Sequence, residues 1–164
     1  MDIVKRAVSP NDCDLIMAWR NSLSARGVSR LGNELNEAEH REWFISRIAR
    51  TECEPFWIMS VLNEDIGFVR LDHVEGQEDL YTVSIFVAPR YQAVGNGKKM
   101  LSIVLASAVS NNLALGFRAV IKKSNVSSIA LFKQFGFQFK SEIDRDFDEY
   151  QVAANEIKIN ANSF

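Results

Sequence analysis

The sequence predicts an α+β fold: a mixed central sheet with helices on both faces, in a three-layer α/β/α arrangement. Three observations carry this expectation. β-branched and aromatic runs at 56–62, 66–74, 81–87 and 117–121 read as strands, and amphipathic helical stretches fall between and before them. The turns Asn63-Glu64-Asp65 and Glu75-Gly76-Gln77-Glu78-Asp79 join consecutive strands as antiparallel hairpins. Later strands are separated by helices, the mark of crossovers, so hairpins and crossovers mix and a doubly wound parallel sheet is excluded.

Residues 3–8 form a short strand candidate. Ser9-Pro10-Asn11-Asp12 then starts a helix, with Ser9 as N-cap, Pro10 in the first turn and Asp12 completing a capping-box-like pattern. Leu15, Ile16, Trp19 and Leu23 supply its apolar face. Periodicity stops from Ala25 to Gly32, which predicts a loop. Asn36-Glu37-Ala38-Glu39 is a second capping-box start, and Trp43, Phe44 and Ile48 continue that helix to about Arg50. Three strands follow, the last ending at Val87. Gly97, Met100, Leu101, Val104, Leu105 and Ala108 then fall on one helical stripe. After the strand at 117–121, Asn125 opens a helix carrying Ile129, Leu131, Phe132 and Phe135, stopped by Gly136 as C-cap. Residues 137–143 and 150–159 make a closing pair of strands, and 160–164 a frayed end.

The 164 residues fit one domain spanning 1–164, and neither an internal repeat nor a linker interrupts it. Hydrophobic content of 47% with 24% charged residues belongs to a globular chain rather than a disordered one. A net charge of −2 and the lack of a Lys/Arg cluster give no support for a nucleic-acid surface. Cys13 and Cys53 are far apart without metal-ligand spacing, so no metal is expected. Neither a signal-peptide core nor an apolar run long enough to span a membrane is present. The expectation is a cytoplasmic protein with no membrane partner.

The chain is organised around residues 87–100. A buried strand ends at Pro89, a glycine-bearing loop turns, and a helix begins near Gly95. Such a junction offers unpaired backbone N–H groups and the positive end of a helix dipole, a seat for a phosphate. Gly95 and Gly97 let the main chain approach an anion closely, and Lys98 and Lys99 add positive charge. The loop has neither the Gly-Lys-Ser/Thr ending of a P-loop nor the three-glycine dinucleotide spacing.

Gln92-x-x-Gly95-x-Gly97 after a strand ending in Val87 resembles the acetyl-CoA signature of the GNAT acetyltransferase superfamily. A second segment, Asn125-x-x-Ser128-x-x-Leu131-Phe132-x-x-x-Gly136-Phe137, resembles that family's downstream motif, and the element order matches over nearly the whole chain. The resemblance implies an acetyl-CoA-dependent acetyltransferase without a metal. Gln92, Ala93, Val94, Gly95, Asn96, Gly97 and Lys98 would hold the pyrophosphate. Main-chain groups near Phe86 and Val87 would pair with the pantetheine as an added strand, with Asn125 and Phe132 nearby. The Val87 N–H would polarise the thioester carbonyl. For Asn125, a plain N-cap role is sufficient by itself, and the two roles can coexist.

The sequence departs from the family at two positions. Phe132 stands where many members have a tyrosine able to protonate the leaving thiolate, and Val120 stands where a carboxylate base is common. Replacement acids or bases are sought at His73, Glu78, Asp72 and Tyr81, on or beside the strands flanking the acceptor cleft.

Trp19-Arg20-Asn21, Arg30 in the following loop, and His40-x-x-Trp43 resemble the amino-terminal pattern of bacterial enzymes that acetylate nucleotide-linked amino sugars, those of pseudaminic-acid pathways among them. That resemblance makes Arg20, Asn21, Arg30 and His40 acceptor-binding candidates, the arginines suiting a diphosphate. Solvated arginines or surface ion pairs are the alternative, and Trp19 and Trp43 read as core. Three readings stay open: an N-acetyltransferase for a small amine, with a nucleotide amino sugar first; an acetyltransferase for a protein N-terminus, a lysine or an antibiotic amine; and an acyl-CoA-binding module without catalysis. The oligomeric state is open, a homodimer included.

Overall fold

A computed structural model describes residues 2–29 and 32–159, the side chain of Glu78 excepted. Arg30 and the expected frayed end at 160–164 lie outside the described residues. Seven strands form one mixed sheet: β1 (Val4–Ala7), β2 (Phe56–Val61), β3 (Glu64–Val74), β4 (Gln77–Val87), β5 (Gly116–Lys122), β6 (Gln138–Glu142) and β7 (Phe147–Ala153). Their spatial order is β1-β2-β3-β4-β5-β7-β6. β4 and β5 run parallel, while every other neighbouring pair is antiparallel. The helices are α1 (Cys13–Asn21), α2 (Leu23–Arg26), α3 (Glu37–Ile48), α4 (Asn96–Ser110) and α5 (Val126–Gln134).

Alternation along the strands divides the interior into two cores. Val69, Leu71, Tyr81 and Val83 face Met100, Leu101, Val104 and Leu105 of α4 and Phe132 of α5. Phe56, Ile58 and Phe68 face the other way, onto Ile16 of α1 and Phe44 of α3. This is the three-layer arrangement the sequence predicts.

Local signals set most element ends. The Ser9 N–H and hydroxyl both donate to the Asp12 carboxylate, 2.7 and 2.9 Å, and Arg6 grips the same carboxylate with two bonds of 2.8 Å. The Asn36 side chain accepts from the Ala38 and Glu39 N–H groups at the start of α3, and Asn125 accepts from Ser128 N–H at the start of α5. Gly136 stops α5 at φ +95°, a conformation costly for residues with a Cβ.

The differences are tertiary. The first helix stops at Asn21, and a four-residue helix, α2, overlaps only the start of the loop predicted at 25–32; its N-cap Ser22 accepts from Ala25 N–H, and Leu23, expected on the first helix's apolar face, is exposed. The last strand begins at Phe147 rather than 150 and ends at Ala153, where a 3-10 turn, Ala154–Glu156, replaces the expected extension to 159. It also inserts between β5 and β6, a placement no local pattern encodes.

Candidate active site

β4 and β5 pair over only three positions, Leu80↔Gly116, Tyr81↔Phe117 and Thr82↔Arg118. Beyond Thr82 the strands separate, and a cleft of about 530 Å³ opens between and above them. Ser84, Ile85 and Phe86 line it from β4, Val120 to Lys122 from β5, and Asn125, Ser128 and Phe132 from α5. Ala88 N–H donates to Ile66 C=O at 2.8 Å, so antiparallel alternation turns the peptide groups of Val87, Ile85 and Val83 away from β3 and into the gap. The same alternation directs the main chain of Phe86 to β3, and so away from the contact the sequence suggested. The β3–β4 approach is tight there: a Cβ on Gly67 would stand 2.1 Å from the Phe86 carbonyl oxygen.

Past β4, a 3-10 turn (Pro89–Tyr91) leads into the loop. Arg90 and Tyr91 both donate to Glu64 at the β2–β3 turn, and the Gln92 side-chain amide donates to Val87 C=O at 2.8 Å. The turn is thereby anchored at both ends. Ala93 and Gly95 adopt positive φ, 61° and 85°. Gly95 is the N-cap of α4, and its missing side chain leaves the first amides of the helix without a side-chain acceptor. A Cβ at Gly95 would meet nothing within 4 Å, so glycine is there for conformation and not for space. At Gly97 the space is closer, with Leu131 Cδ2 at 3.5 Å and Val87 Cγ2 at 3.7 Å from a Cβ.

The opposite end of the cleft is built from side chains. Asp72, Thr82, Arg118 and Gln151 occupy one row across four strands and therefore share a face of the sheet. Arg118 donates to Thr82 Oγ1 at 2.7 Å and to Glu149 at 3.2 Å. Asp72 takes Arg47 on one oxygen at 2.7 Å and Arg70 on the other at 3.1 Å. Arg47, its side chain 1% exposed, also donates to the carbonyls of Glu54, Pro55 and Leu71. Arg20 and Arg70 lie over the ring of Trp43, their guanidinium carbons 4.4 and 5.1 Å from its centroid. Burial, with Arg70's charge second, brings the Arg20 guanidinium down to about 10. Burial lowers Arg70 as well.

Several expected residues lie elsewhere. His40 is 2% exposed within the α1–α3 core, with Nε2 donating to Cys13 C=O at 3.2 Å, so it does not border the cleft. Asn21 accepts from Leu35 N–H at 2.8 Å and fastens the loop before α3. Tyr81 is buried on the α4 face, its hydroxyl donating to Cys53 C=O, and burial raises it. Neither His40 nor Tyr81 lines the cleft. His73 borders the cleft and meets Tyr81 edge-on, whereas the Glu78 side chain and Arg30 lie outside the described residues. Trp43, read as core, packs against the α1–α3 core at its edge and also lines the cleft, while Trp19 packs on Phe68 and Phe86 as expected. Phe132 is 2% exposed and edge-on to Phe137. Val120 is in register with Glu149, whose oxygens are held by Arg118 and Gln151. Arg70 and Arg118 belong to no motif in the sequence. The available signal was a charged residue at an alternate position within an otherwise apolar strand.

Among the described residues, no group of three or more His, Cys, Asp or Glu side chains is arranged to hold a metal ion. No described helix is long and apolar enough to cross a membrane.

A model of the acetyltransferase (GNAT) domain matches residues 3–138. The spermine/spermidine N(1)-acetyltransferase of Bacillus subtilis (strain 168) is 33% identical over 67 residues, 41% of this chain and 44% of that protein. The match thus spans less than half the length of that relative. Among solved structures, a domain from Methanocaldococcus jannaschii DSM 2661 superposes with a TM-score of 0.81 at 25% identity, covering 93% of this chain and 98% of that one. The spermidine N-acetyltransferase of Vibrio cholerae, in complex with CoA and spermine, shares the fold at a TM-score of 0.82 and 13% identity, covering 94% and 96%. With the family's domain model matched over 136 of its residues, counted from 3 through 138, the chain belongs to the GNAT acetyltransferase family.

Proposed function

We propose that this protein transfers an acetyl group from acetyl-CoA to the primary amine of a small acceptor. The observation that carries this reading is the gap between β4 and β5, edged by the peptide groups of Val83, Ile85 and Val87 and ending at the uncapped start of α4. An extended chain with amide groups can pair along such an edge, and a pyrophosphate suits free helix amides. The residues present therefore fit CoA. Ala93 to Lys98 would hold the pyrophosphate, with Gln92 fixing the loop, and Asn125 and Phe132 would border the acyl end. Bound there, acetyl-CoA supplies an activated acyl carbon.

The chain's own residues then have two tasks. The Val87 amide, turned into the gap, is the donor for the oxygen that gains charge as the amine attacks. The walls hold the two reactants in line, which can supply much of the rate. No described carboxylate replaces the base at Val120, because Glu149 is already held by Arg118 and Gln151. Proton removal is therefore assigned to water in the cleft, with His73 at its border as the side chain to test.

The finer reading is a nucleotide-linked amino sugar as acceptor, supported by the arginines at the cleft's far end. A screen with acetyl-CoA tests both levels, following thiol release with a nucleotide-linked amino sugar, the free amino sugar, spermidine and an aminoglycoside. Release with any of these supports acetyl transfer, and preference for the nucleotide-linked form supports the finer reading. CoA binding without release for any amine would favour a binding module instead.

A further inference from the structure

The arginines of the cleft are not balanced. Arg20, Arg70, Arg118 and Lys122 line it, with Asp72 as the lining carboxylate among the described residues. Both oxygens of Asp72 are engaged, by Arg47 and Arg70. Arg118 is paired with Glu149, and Lys122 donates to Gly27 C=O at 2.9 Å. Arg20 is the exception: it makes no hydrogen bond or ion pair to a described residue. It is half-buried beside a second guanidinium, on a shared aromatic ring. Asp72 bonds Arg70 and attracts Arg20 from farther off but is shared with Arg47, so the pair stays short of negative charge, which is costly partly out of water unless a further counter-charge arrives. The Trp43 ring face attracts both cations but adds no negative charge.

We infer that Arg20 and Arg70, both over Trp43, form the seat of an oxyanion carried by the acceptor, so that the substrate is an anionic amine bearing phosphate or carboxylate. Guanidinium groups present several N–H donors in a fixed plane, suited to either anion. A polyamine would bring positive charge to the same wall and be repelled. The inference rests on the acetyl-transfer reading only for what the ligand carries; the seat itself is a property of these side chains.

The test separates the two. Pyrophosphate and malonate are titrated calorimetrically into wild type saturated with CoA, so that the α4 loop is filled and cannot take the anion. Wild type should bind at least one of them, and the tighter names the anion class. Arg20→Gln should weaken that binding on the order of ten- to a hundredfold, one charge-assisted hydrogen bond or more. Arg20→Lys, which keeps the charge, should retain most of it, and thermal melts establish that both variants fold. Absence of binding in wild type, or equal affinity in Arg20→Gln, overturns the seat. If CoA itself does not bind, the acetyl-transfer reading falls. The seat is then decided by the same titrations in a folded Gly97→Glu background, with the loop blocked by the substitution.

Discussion

The two ends of the cleft are built by different means, one from main chain and the other from side chains. At the α4 end the groups that face the opening are main-chain amides, turned there by Gly95 at φ +85° and by the parting of β4 from β5. At the far end they are side chains, Arg20, Trp43, Arg70, Asp72 and Arg118, drawn from α1, α3, β3 and β5. Main-chain recognition needs a particular backbone path and is encoded by a contiguous stretch. Side-chain recognition needs only that distant positions meet, so its encoding is scattered. The first kind tolerates changes of side-chain chemistry as long as the path survives; the second does not.

That contrast can be broken most severely at Arg47. Its guanidinium anchors Asp72 and three carbonyls in the interior, so Arg47→Met should lower stability by about 3–5 kcal/mol, leaving a carboxylate and several acceptors unpaired. Urea unfolding measures it. An unchanged midpoint would mean that the far wall does not depend on this anchor.

A sharper, smaller effect is expected at the other end. Gly97→Glu keeps a tolerable Cβ position but brings an anion to the helix start, so CoA affinity should fall by roughly tenfold or more while the fold persists. Calorimetry on the folded variant decides it. Undiminished affinity would remove the loop from the donor site.

The smallest effect concerns a residue at neither end. Burial holds the His40 imidazole below its ordinary value, and its Nδ1 has no hydrogen-bond partner. The unfolded chain therefore takes up a proton near pH 6.5 that the folded chain resists. Stability from this group is complete above that pH and is lost as pH falls below it toward the lowered folded value. Melting of wild type between pH 7 and 5 should drop further than that of His40→Gln, whose amide can still donate to Cys13 C=O. Parallel curves would place the acid sensitivity elsewhere.

By itself the sequence determined what is local. Ser9, Asn36 and Asn125 mark helix starts because their side chains reach amides or carboxylates within three residues, and Gly136 marks a stop because its φ is a property of one residue. The turn from β4 into α4 was legible for the same reason, since the backbone path from Gln92 to Lys98 is set by residues next to one another in the chain. Only the tertiary structure decided the rest. The insertion of β7 beside β5 set Glu149 opposite Val120, across nearly thirty residues of chain. His40 went to the core while Trp43, one helical turn away, went to the cleft, because packing against α1 and β3 fixed the rotation of α3. The charge balance that leaves Arg20 without an ion pair among the described residues is a sum over several elements. Electrostatic interaction depends on distance in space, and a chain read in order does not contain that distance.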